Sequence, residues 1–184
     1  KIKLANFYML LNFSLFSGNK NEWNSEISKF DNATLHQIYE WGEFKSKNGW
    51  KVIRLIGYYK GKAISFTQML YIKKFFINFI IIPGGPVGNI DFWFSSIKNY
   101  ISLKFGFFVY CRINASYPFD DKIIKEIKQA KWKKPLIKIS PDLTMLLELS
   151  NNEKVYNKCS QNWRYGYRRS IKNKLIVKKI TKPN

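Results

Sequence analysis

The sequence is poor in histidine and cysteine, and this shortage excludes several classes of function. With one histidine, His36, no Ser-His-Asp or Cys-His catalytic arrangement can be proposed unless another chain supplies partners. The two cysteines, Cys111 and Cys159, are too few for a disulfide framework, and with His36 they match no usual zinc-site spacing. The sequence therefore predicts neither redox nor metal chemistry, and we expect no metal and no resident cofactor.

Long apolar runs are also missing. No stretch of 18 or more uninterrupted apolar residues occurs, so no segment is predicted to span a bilayer. Residues 2–16 are apolar but are interrupted by Asn6 and Asn12, unlike the cleaner apolar core of a signal peptide. Hydrophobic residues still make up 46% and aromatic residues 17% of the chain, too much for a disordered polymer. We expect a folded, soluble and cytoplasmic protein.

Acidic residues are scarce as well. The chain has 32 Lys and Arg against 12 Asp and Glu, a net charge of +20. A field of this size attracts polyanions such as nucleic acid, pyrophosphate-bearing substrates or the anionic inner face of a membrane. The 27 Lys, 5 Arg, 23 Ile and 17 Asn are also the composition that an AT-rich coding sequence produces. The charge alone does not decide between these explanations.

The order of helix and strand patterns predicts a mixed α/β fold. A Thr34-x-x-Gln37 capping box predicts a helix that ends near Gly49. An antiparallel meander of three strands, 52–58, 63–71 and 75–82, is expected next. Further helices are predicted over 90–104, from Asp120 to Ala130, and from a Ser150-x-x-Glu153 capping box to about Ile171, and further strands over 106–113, 143–149 and 175–180. Strands joined by helices should run parallel, in a central mixed sheet flanked by helices.

The domain organisation follows from the same patterns. Residues 1–21 are an upstream segment without a clear structural pattern, and residues 22–184 form one domain. The chain begins at Lys1 rather than at Met and stops just after a predicted strand. We therefore expect it to be a piece of a longer protein.

Lys45 is the first candidate for a binding residue. It follows Trp41 by four residues and Ile38 by seven, so the three are expected on one helix face. A lysine there can lay its stem along the apolar surface and place its ammonium at the mouth of a cleft, where it suits a phosphate. The alternative is a lysine at the rim of the core without a ligand.

Two more candidates follow predicted strands. The glycines of the Pro83–Asn89 turn allow backbone N–H groups to approach an anion, although neither the Walker nor the dinucleotide pattern is present, and a plain tight turn is the alternative. Arg112 ends an otherwise apolar strand, where ligands of open α/β sheets bind. A structural ion pair is the other interpretation of Arg112.

The last predicted helix carries a basic ridge. Arg164, Arg168 and Lys172 recur at a spacing of four, and Arg169 adds a fourth cation. An aromatic side lies next to them, formed by Tyr156, Cys159, Trp163 and Tyr167. Planar guanidinium groups bind phosphate in a bidentate manner, so the ridge suits a polyanion. A solvated helix face is the alternative.

Five segments in a fixed order carry a family resemblance. They are Gln37-x-x-Glu40-Trp41-Gly42-Glu43-Phe44-Lys45, Gly49-Trp50, Gly85-Pro86-Val87, Asp142-Leu143-Thr144 with Leu147-Glu148-Leu149-Ser150, and Asn162-Trp163-Arg164 with Arg169-Ser170. Together they resemble the N-terminal half of the FemA/FemB-type transferases, the peptidoglycan bridge-forming enzymes of the FemABX family. The resemblance covers about residues 22–180.

This resemblance implies an N-terminal GNAT-like domain, the first of two, in an enzyme that moves an aminoacyl group from aminoacyl-tRNA onto an amine of a cell-wall precursor. Other relatives are acyltransferases. The resemblance further implies that Lys45, the lysine of the Trp-x-x-x-Lys segment, contacts phosphates of the precursor. The position before Gly85-Pro86, often basic in relatives, is Gly84 here. The second GNAT-like domain, with much of the acceptor site, is expected outside these 184 residues.

The resulting hypothesis is an aminoacyl- or acyltransferase that acts on a lipid-linked or nucleotide-linked cell-wall precursor and is inactive as this piece alone. Its predicted substrate-binding residues are Lys45, Gly85, Arg112, Arg164 and Arg168; no catalytic residue is assigned. Aminoacyl-tRNA or acyl-CoA would be a co-substrate, and catalysis would rest on alignment of amine and carbonyl without a covalent intermediate. The alternatives are an acyl-CoA-dependent N-acyltransferase of the same fold and a non-catalytic nucleic-acid-binding module. We expect Lys45, Arg112 and Arg164 to border one shared hollow.

Overall fold

A computed structural model describes residues 10–117, 120–135 and 151–176 of the chain. The chain divides into two compact units, Lys1–Lys134 and Pro135–Asn184. The strand predicted over 143–149 lies outside the described residues, and so does most of the strand predicted over 175–180.

The first unit contains a mixed sheet with helices on both faces. Its described strands are β1 (Asn12–Leu15), β2 (Lys51–Tyr59), β3 (Lys62–Lys74), β4 (Ile77–Pro83), β5 (Val87–Gly88) and β6 (Val109–Asn114). Its described helices are α1 (Lys20–Ile27), a 3₁₀ helix (Leu35–Gln37), α2 (Tyr39–Lys47), α3 (Trp93–Phe105) and α4 (Asp121–Gln129). The predicted mixed α/β architecture is therefore confirmed.

The sheet has the strand order β1-β2-β3-β4-β6, and the short β5 pairs with β3 beside β4. Neighbouring strands are antiparallel from β1 to β4. This was expected for β2, β3 and β4, which are joined by short turns, whereas β1 and β2 are antiparallel although α1 and α2 lie between them, so the expectation that helix-joined strands run parallel fails for this pair. β6 follows α3 and pairs with β4 in parallel, which confirms the expectation for strands joined by a helix.

The larger core lies on the side of the sheet covered by α3 and α4, here called the α3 face. Leu55, Met69 and Ile80 from three neighbouring strands are buried against Trp93 and Ile97 of α3. Because successive residues of a strand point to opposite faces of the sheet, the strand residues next to Leu55, Met69 and Ile80 in the sequence face the other side. The buried apolar side chains of α3, the helix predicted over 90–104, thus form one wall of this core.

The opposite side, here called the α2 face, has a smaller apolar core. Trp23 and Ile27 of α1 are buried against Phe66 of β3 and Val87 of β5. The indole Nε1 of Trp23 donates a hydrogen bond to the carbonyl of Gln37 at 2.8 Å, so the polar atom of this large ring is satisfied. Sequence patterns did not predict α1, because two apolar residues four apart in eight residues are a weak signal.

The upstream segment is partly structured. Residues 12–15, within the segment 1–21, form β1 and pair with β2 in antiparallel register. Asn19 then caps α1 through its side chain, which accepts from the backbone N–H groups of Asn21 and Glu22. This part of the segment therefore belongs to the same sheet unit.

The capping box predicted at Thr34 and Gln37 is wrong. Thr34 makes no capping hydrogen bond; its Oγ1 donates to the carbonyl of Gly84 at 3.0 Å. The turn after it is a 3₁₀ helix, and α2 begins only at Tyr39, after an extended Ile38. The physical reason is that the side chain of Gln37 is bonded to distant backbone groups and does not reach back to a helix start.

The second unit contains two described helices, α5 (Asn152–Lys158) and α6 (Gln161–Lys172), where the sequence predicted one. Cys159 has extended backbone angles, φ −70° and ψ 150°, which end α5. Ser160 then caps α6 by accepting from the backbone N–H of Trp163 at 3.4 Å. Asn151 caps α5; Ser150, the predicted cap, lies outside the described residues.

Candidate functional site

Helix α2 lies close to the sheet because Gly42 has no side chain. A Cβ atom at this position would overlap the side-chain amide of Gln68 and the guanidinium of Arg54. Both residues come from the α2 face, on neighbouring strands β3 and β2. The helix therefore rests on two polar side chains rather than on an apolar surface.

Gln37 fills a gap in the sheet between β4 and β5. Its Oε1 accepts from the backbone N–H of Gln68 at 2.6 Å, and its Nε2 donates to the carbonyls of Gln68 at 3.0 Å and Pro83 at 2.7 Å. The amide thus makes the hydrogen bonds to β3 that a paired strand would make. Gln37 and Gln68 are both fully buried, so each of these bonds shields a polar group from an apolar environment.

Arg54 extends this network and was not singled out from the sequence. Its Nε donates to Oε1 of Gln68 at 2.9 Å, and its Nη2 donates to the carbonyl of Tyr39 at 3.0 Å. The guanidinium also lies 3.4 Å from the centre of the Tyr39 ring and 3.3 Å from a carboxylate oxygen of Glu43. With 11% of its side chain exposed, Arg54 holds the first turns of α2 on β2.

Lys45 lies on the face of α2 that carries Trp41, as its spacing predicted. Its Nζ is 5.0 Å from the centre of the Trp41 ring and 5.6 Å from that of Phe44. The ring of His36 meets Trp41 edge-on at 4.8 Å. No carboxylate lies within 4 Å of the Lys45 ammonium in the part of the chain that the structure describes.

Trp41 has an unusual polar atom. Its indole Nε1 is buried and, among the described residues, has no hydrogen-bond partner. An unsatisfied buried donor costs about 1–3 kcal/mol, so an acceptor at this place would stabilise the site.

The turn after β4 is held by side chains from several elements. Gln37 binds the carbonyl of Pro83, and Thr34 binds that of Gly84. The Tyr117 hydroxyl donates to the carbonyl of Pro86 at 2.6 Å.

Gly88, in β5, is held by two side chains. The Asn32 amide and the Tyr117 hydroxyl both donate to the Gly88 carbonyl, and Oδ1 of Asn32 accepts from the Gly88 N–H. Burial raises the pKa of the Tyr117 hydroxyl, so it stays a neutral donor.

Gly85 is buried within this turn. A Cβ there would lie 2.7 Å from the amide of Gln37, so the close approach of the turn to Gln37 requires a glycine. The Gly85–Pro86 peptide bond is cis. The N–H of the neighbouring Gly84 donates to the carbonyl of Asn114 at 2.7 Å, which joins the turn to the end of β6.

Arg112 lies on the α2 face of the sheet. The pairing of Arg112 with Ile81, of Ile81 with Leu70, and of Leu70 with Val52 puts these residues on one face, together with Gln68 and Arg54 two positions away. Its Nε donates to Oδ1 of Asn114 at 3.2 Å.

The residues on either side of Arg112 face the other way. Cys111 and Ile113 pack in the core of the α3 face, and burial raises the pKa of the Cys111 thiol to about 12. Helix α2, with Lys45, and Arg112 therefore lie on the same side of the sheet.

The predicted arginines of α6 belong to the second unit. Arg164 is half-buried and Arg168 is exposed. An open hollow of about 450 Å³ lies beside α6 and is lined by Tyr165, Arg168, Arg169, Lys172 and Asn173. Trp163 stacks on Tyr167 with ring centres 5.7 Å apart. The shared hollow of Lys45, Arg112 and Arg164 stays a prediction, because these residues are divided between the two units.

Comparison with known proteins supports the fold. No protein-family model matches the chain, and no curated protein sequence matches it. The crystal structure of FemX matches with a TM-score of 0.67 at 19% sequence identity. The chain has the fold of FemX. The match covers 86% of this chain and 44% of the FemX chain, so the chain spans less than half the length of that structure.

The FemX-like fold confirms the FemABX resemblance at the level of architecture. Within residues 10–117, 120–135 and 151–176, no helix is long and apolar enough to cross a membrane. The same ranges contain no group of three or more His, Cys, Asp or Glu side chains arranged to hold a metal ion.

Proposed function

We propose that this chain is the N-terminal, GNAT-like part of a transferase that moves an activated aminoacyl or acyl group onto an amine of a cell-wall or related glycan precursor. The FemX-like fold supports the proposal that the protein is a transferase of this class. The observation that carries the proposal is the Lys45 ammonium, held over Trp41 and Phe44 with no described carboxylate within 4 Å. Activity belongs to the whole protein in this proposal, and the reaction is placed in the cytoplasm.

Lys45 suits a phosphate of a lipid-linked or nucleotide-linked precursor. Its aromatic neighbours hold the ammonium in one region, so less side-chain freedom is lost when an anion binds. Arg112 supplies a second cation on the same side of the sheet, and Gly85 shapes the turn beside the end of β6. Arg164 and Arg168 are proposed as further phosphate ligands.

The mechanism needs no nucleophile from this chain. An amine that is held against an activated carbonyl reacts without a covalent enzyme intermediate, and alignment alone lowers such barriers by about 7–11 kcal/mol. Binding the precursor by its phosphates fixes one end of the acceptor, which is the contribution assigned to Lys45. Donors aimed at the developing oxyanion add to the rate.

The binding role is tested by calorimetric titration of the protein with a nucleotide-linked cell-wall precursor. Lys45→Ala should weaken binding about 10- to 100-fold, the usual loss for a charge-assisted hydrogen bond. Lys47→Ala is the matched control: it removes the same charge from the same helix at an exposed position. Equal affinity of the wild type and Lys45→Ala, or equal losses in both variants, contradicts the proposal.

The donor is tested with the full-length protein and an amine acceptor. Consumption of aminoacyl-tRNA supports aminoacyl transfer, and consumption of acyl-CoA supports the acyl-CoA-dependent alternative. The exposed cations of α6 favour a second candidate, a non-catalytic nucleic-acid-binding module. That candidate predicts tRNA binding that ignores aminoacylation, no transfer, and a flatter salt dependence in Arg164→Ala/Arg168→Ala.

A further inference from the structure

The hairpin between β3 and β4 has an unusual tip. Lys74 pairs with Ile77, so the turn consists of two residues, Phe75 and Phe76. Phe75 has a left-handed backbone, φ 52°, and is 95% exposed, and Phe76 is exposed as well. Two-residue hairpin turns with positive φ favour Asn and Gly, since a bulky residue is disfavoured there.

The hairpin between β2 and β3 provides the contrast. Its turn consists of Lys60 and Gly61, both with positive φ, and thus has the polar and glycine residues that the geometry favours. This turn lies at the opposite end of β3. The geometry of the turn therefore does not explain the exposed phenylalanine at position 75.

A second loop adjoins the phenylalanine turn. The rings of Phe76 and Phe108 meet edge-on with centres 5.4 Å apart, and the N–H of Asn78 donates to the Phe108 carbonyl at 2.9 Å. Phe107 is fully exposed, and so is most of Leu103 in the last turn of α3. We call Phe75, Phe76, Leu103, Phe107 and Phe108 the aromatic tip.

The charged residues that adjoin the aromatic tip in the sequence are all lysines. Lys73, Lys74 and Lys104 are exposed beside it. Between Glu43 and Asp120 the sequence contains one acidic residue, Asp91. Asp91 lies just before the first turn of α3, at the end of the helix opposite to Leu103 and Lys104. The carboxylate of Asp91 is 2.6 Å from Nζ of Lys122.

We propose that the aromatic tip inserts into the headgroup region of an anionic lipid membrane. Aromatic side chains on turns enter the interface between headgroups and acyl chains, and lysines around them bind anionic headgroups. The phenylalanines of the aromatic tip lie on two loops, the β3–β4 turn and the segment between α3 and β6. Rings on two loops can enter a lipid surface, which adapts to their shape. This proposal concerns a surface distinct from the Lys45 site and does not depend on transferase activity.

The test is sedimentation of the protein with phosphatidylcholine vesicles, with and without phosphatidylglycerol. Vesicles that contain phosphatidylglycerol should bind the wild type more strongly. Phe75→Asn/Phe107→Ser should lower the partition coefficient at least about tenfold, because it removes the two most exposed phenylalanine rings of the aromatic tip. Asn tolerates the left-handed backbone at position 75, so this variant is expected to fold. Leu15→Ser removes an exposed apolar side chain from β1 and is the matched control.

Charge is tested in the same assay. Lys73→Gln/Lys74→Gln should weaken binding to the anionic vesicles by about fivefold per lysine, whereas Lys60→Gln/Lys62→Gln, at the opposite hairpin, should not. Unchanged partitioning of the phenylalanine variant, or equal losses in the control variants, overturns the proposal. A concentration-dependent dimer that the phenylalanine variant abolishes also overturns it and assigns the aromatic tip to contact between copies.

Discussion

The two faces of the sheet are covered in different ways. The larger core, on the α3 face, consists of aliphatic and aromatic side chains that pack by shape, with a few hydrogen bonds among them, such as that of the Trp93 indole. Beside its smaller apolar core, the α2 face has a buried polar network under α2, in which Gln37, Gln68 and Arg54 form hydrogen bonds with one another and with backbone groups. Apolar packing tolerates exchange of side chains with similar volume, whereas a buried hydrogen-bond network does not. The α3 face therefore tolerates conservative exchanges, and the α2 face fixes the position of the helix that carries Lys45.

The sharpest test of this difference exchanges one side chain on each face for leucine. Gln37→Leu leaves the N–H of Gln68 and the carbonyl of Pro83 without their partners, and should lower the free energy of unfolding by about 3–5 kcal/mol. Met69→Leu, on the α3 face, conserves volume and should cost less than about 1.5 kcal/mol. Urea unfolding midpoints at unchanged m-value measure both. Similar losses in the two variants remove the distinction between the faces.

A smaller change in stability is expected when a single methyl group is added at Gly42, under α2. Gly42→Ala places a Cβ against Gln68 and Arg54 and should destabilise the protein by about 1–3 kcal/mol through overpacking. Gly166→Ala, in the middle of α6, has open space around its Cβ and should stabilise that helix by about 0.5–1 kcal/mol. Thermal unfolding followed by circular dichroism compares the two variants. A neutral Gly42→Ala contradicts the close approach of α2.

The polar pair on the α3 face provides a third comparison. Thr67→Val leaves Nε1 of Trp93 without its 3.0 Å partner and should cost about 1–2 kcal/mol. Adding Trp93→Phe removes the orphaned donor, so the double variant should lose less than the sum of the single variants. A double-mutant cycle from denaturant unfolding measures this recovery. Strict additivity shows that the bond contributes nothing.

The smallest expected effect concerns pH. Glu126 of α4 accepts from the N–H of Phe94 at 3.0 Å, and burial, the main cause, raises the pKa of its carboxyl above the ordinary value of 4.5. The folded state therefore binds this proton more tightly than the unfolded state. Its contribution to stability is complete below about pH 4.5 and is lost as the pH rises through the raised pKa.

Glu126→Gln keeps an oxygen for the Phe94 N–H but does not titrate. Its free energy of unfolding should match the wild type near pH 4 and should exceed it near pH 7, the direction set by the raised pKa. Unfolding curves at both pH values provide the measurement. A variant that loses stability relative to the wild type as the pH rises contradicts the assignment.

The sequence predicted those elements whose own residues determine their structure. The β2–β4 meander follows from alternating side chains, and the apolar stripe of α3 from its 3.6-residue period. The parallel pairing of β6 with β4 follows from the helix between them. Likewise, the spacing of Trp41 and Lys45 was enough to place them on one face of α2.

Elements whose structure depends on distant partners were missed or mistaken. Thr34 and Gln37 have the residue types of a capping box, but distant carbonyls and N–H groups occupy their side chains. Arg54 sits among alternating apolar residues, a pattern that indicates a solvent-facing side chain, yet α2 covers it. Residues 152–172 have one amphipathic pattern, and only the cap at Ser160 signals the break between α5 and α6.

The bonds of Gln37 have a consequence for insertions and deletions. They join the chain to β3 at one point, and seven residues separate that point from Lys45. One residue more or fewer in the helical part of this interval, from Tyr39 onward, turns Lys45 by about 100° around the axis of α2, since each residue advances an α-helix by that angle. The ammonium would then leave its side of the helix while the anchor stayed in place. The length of this interval, more than the identity of its exposed residues, is therefore what evolution is expected to preserve.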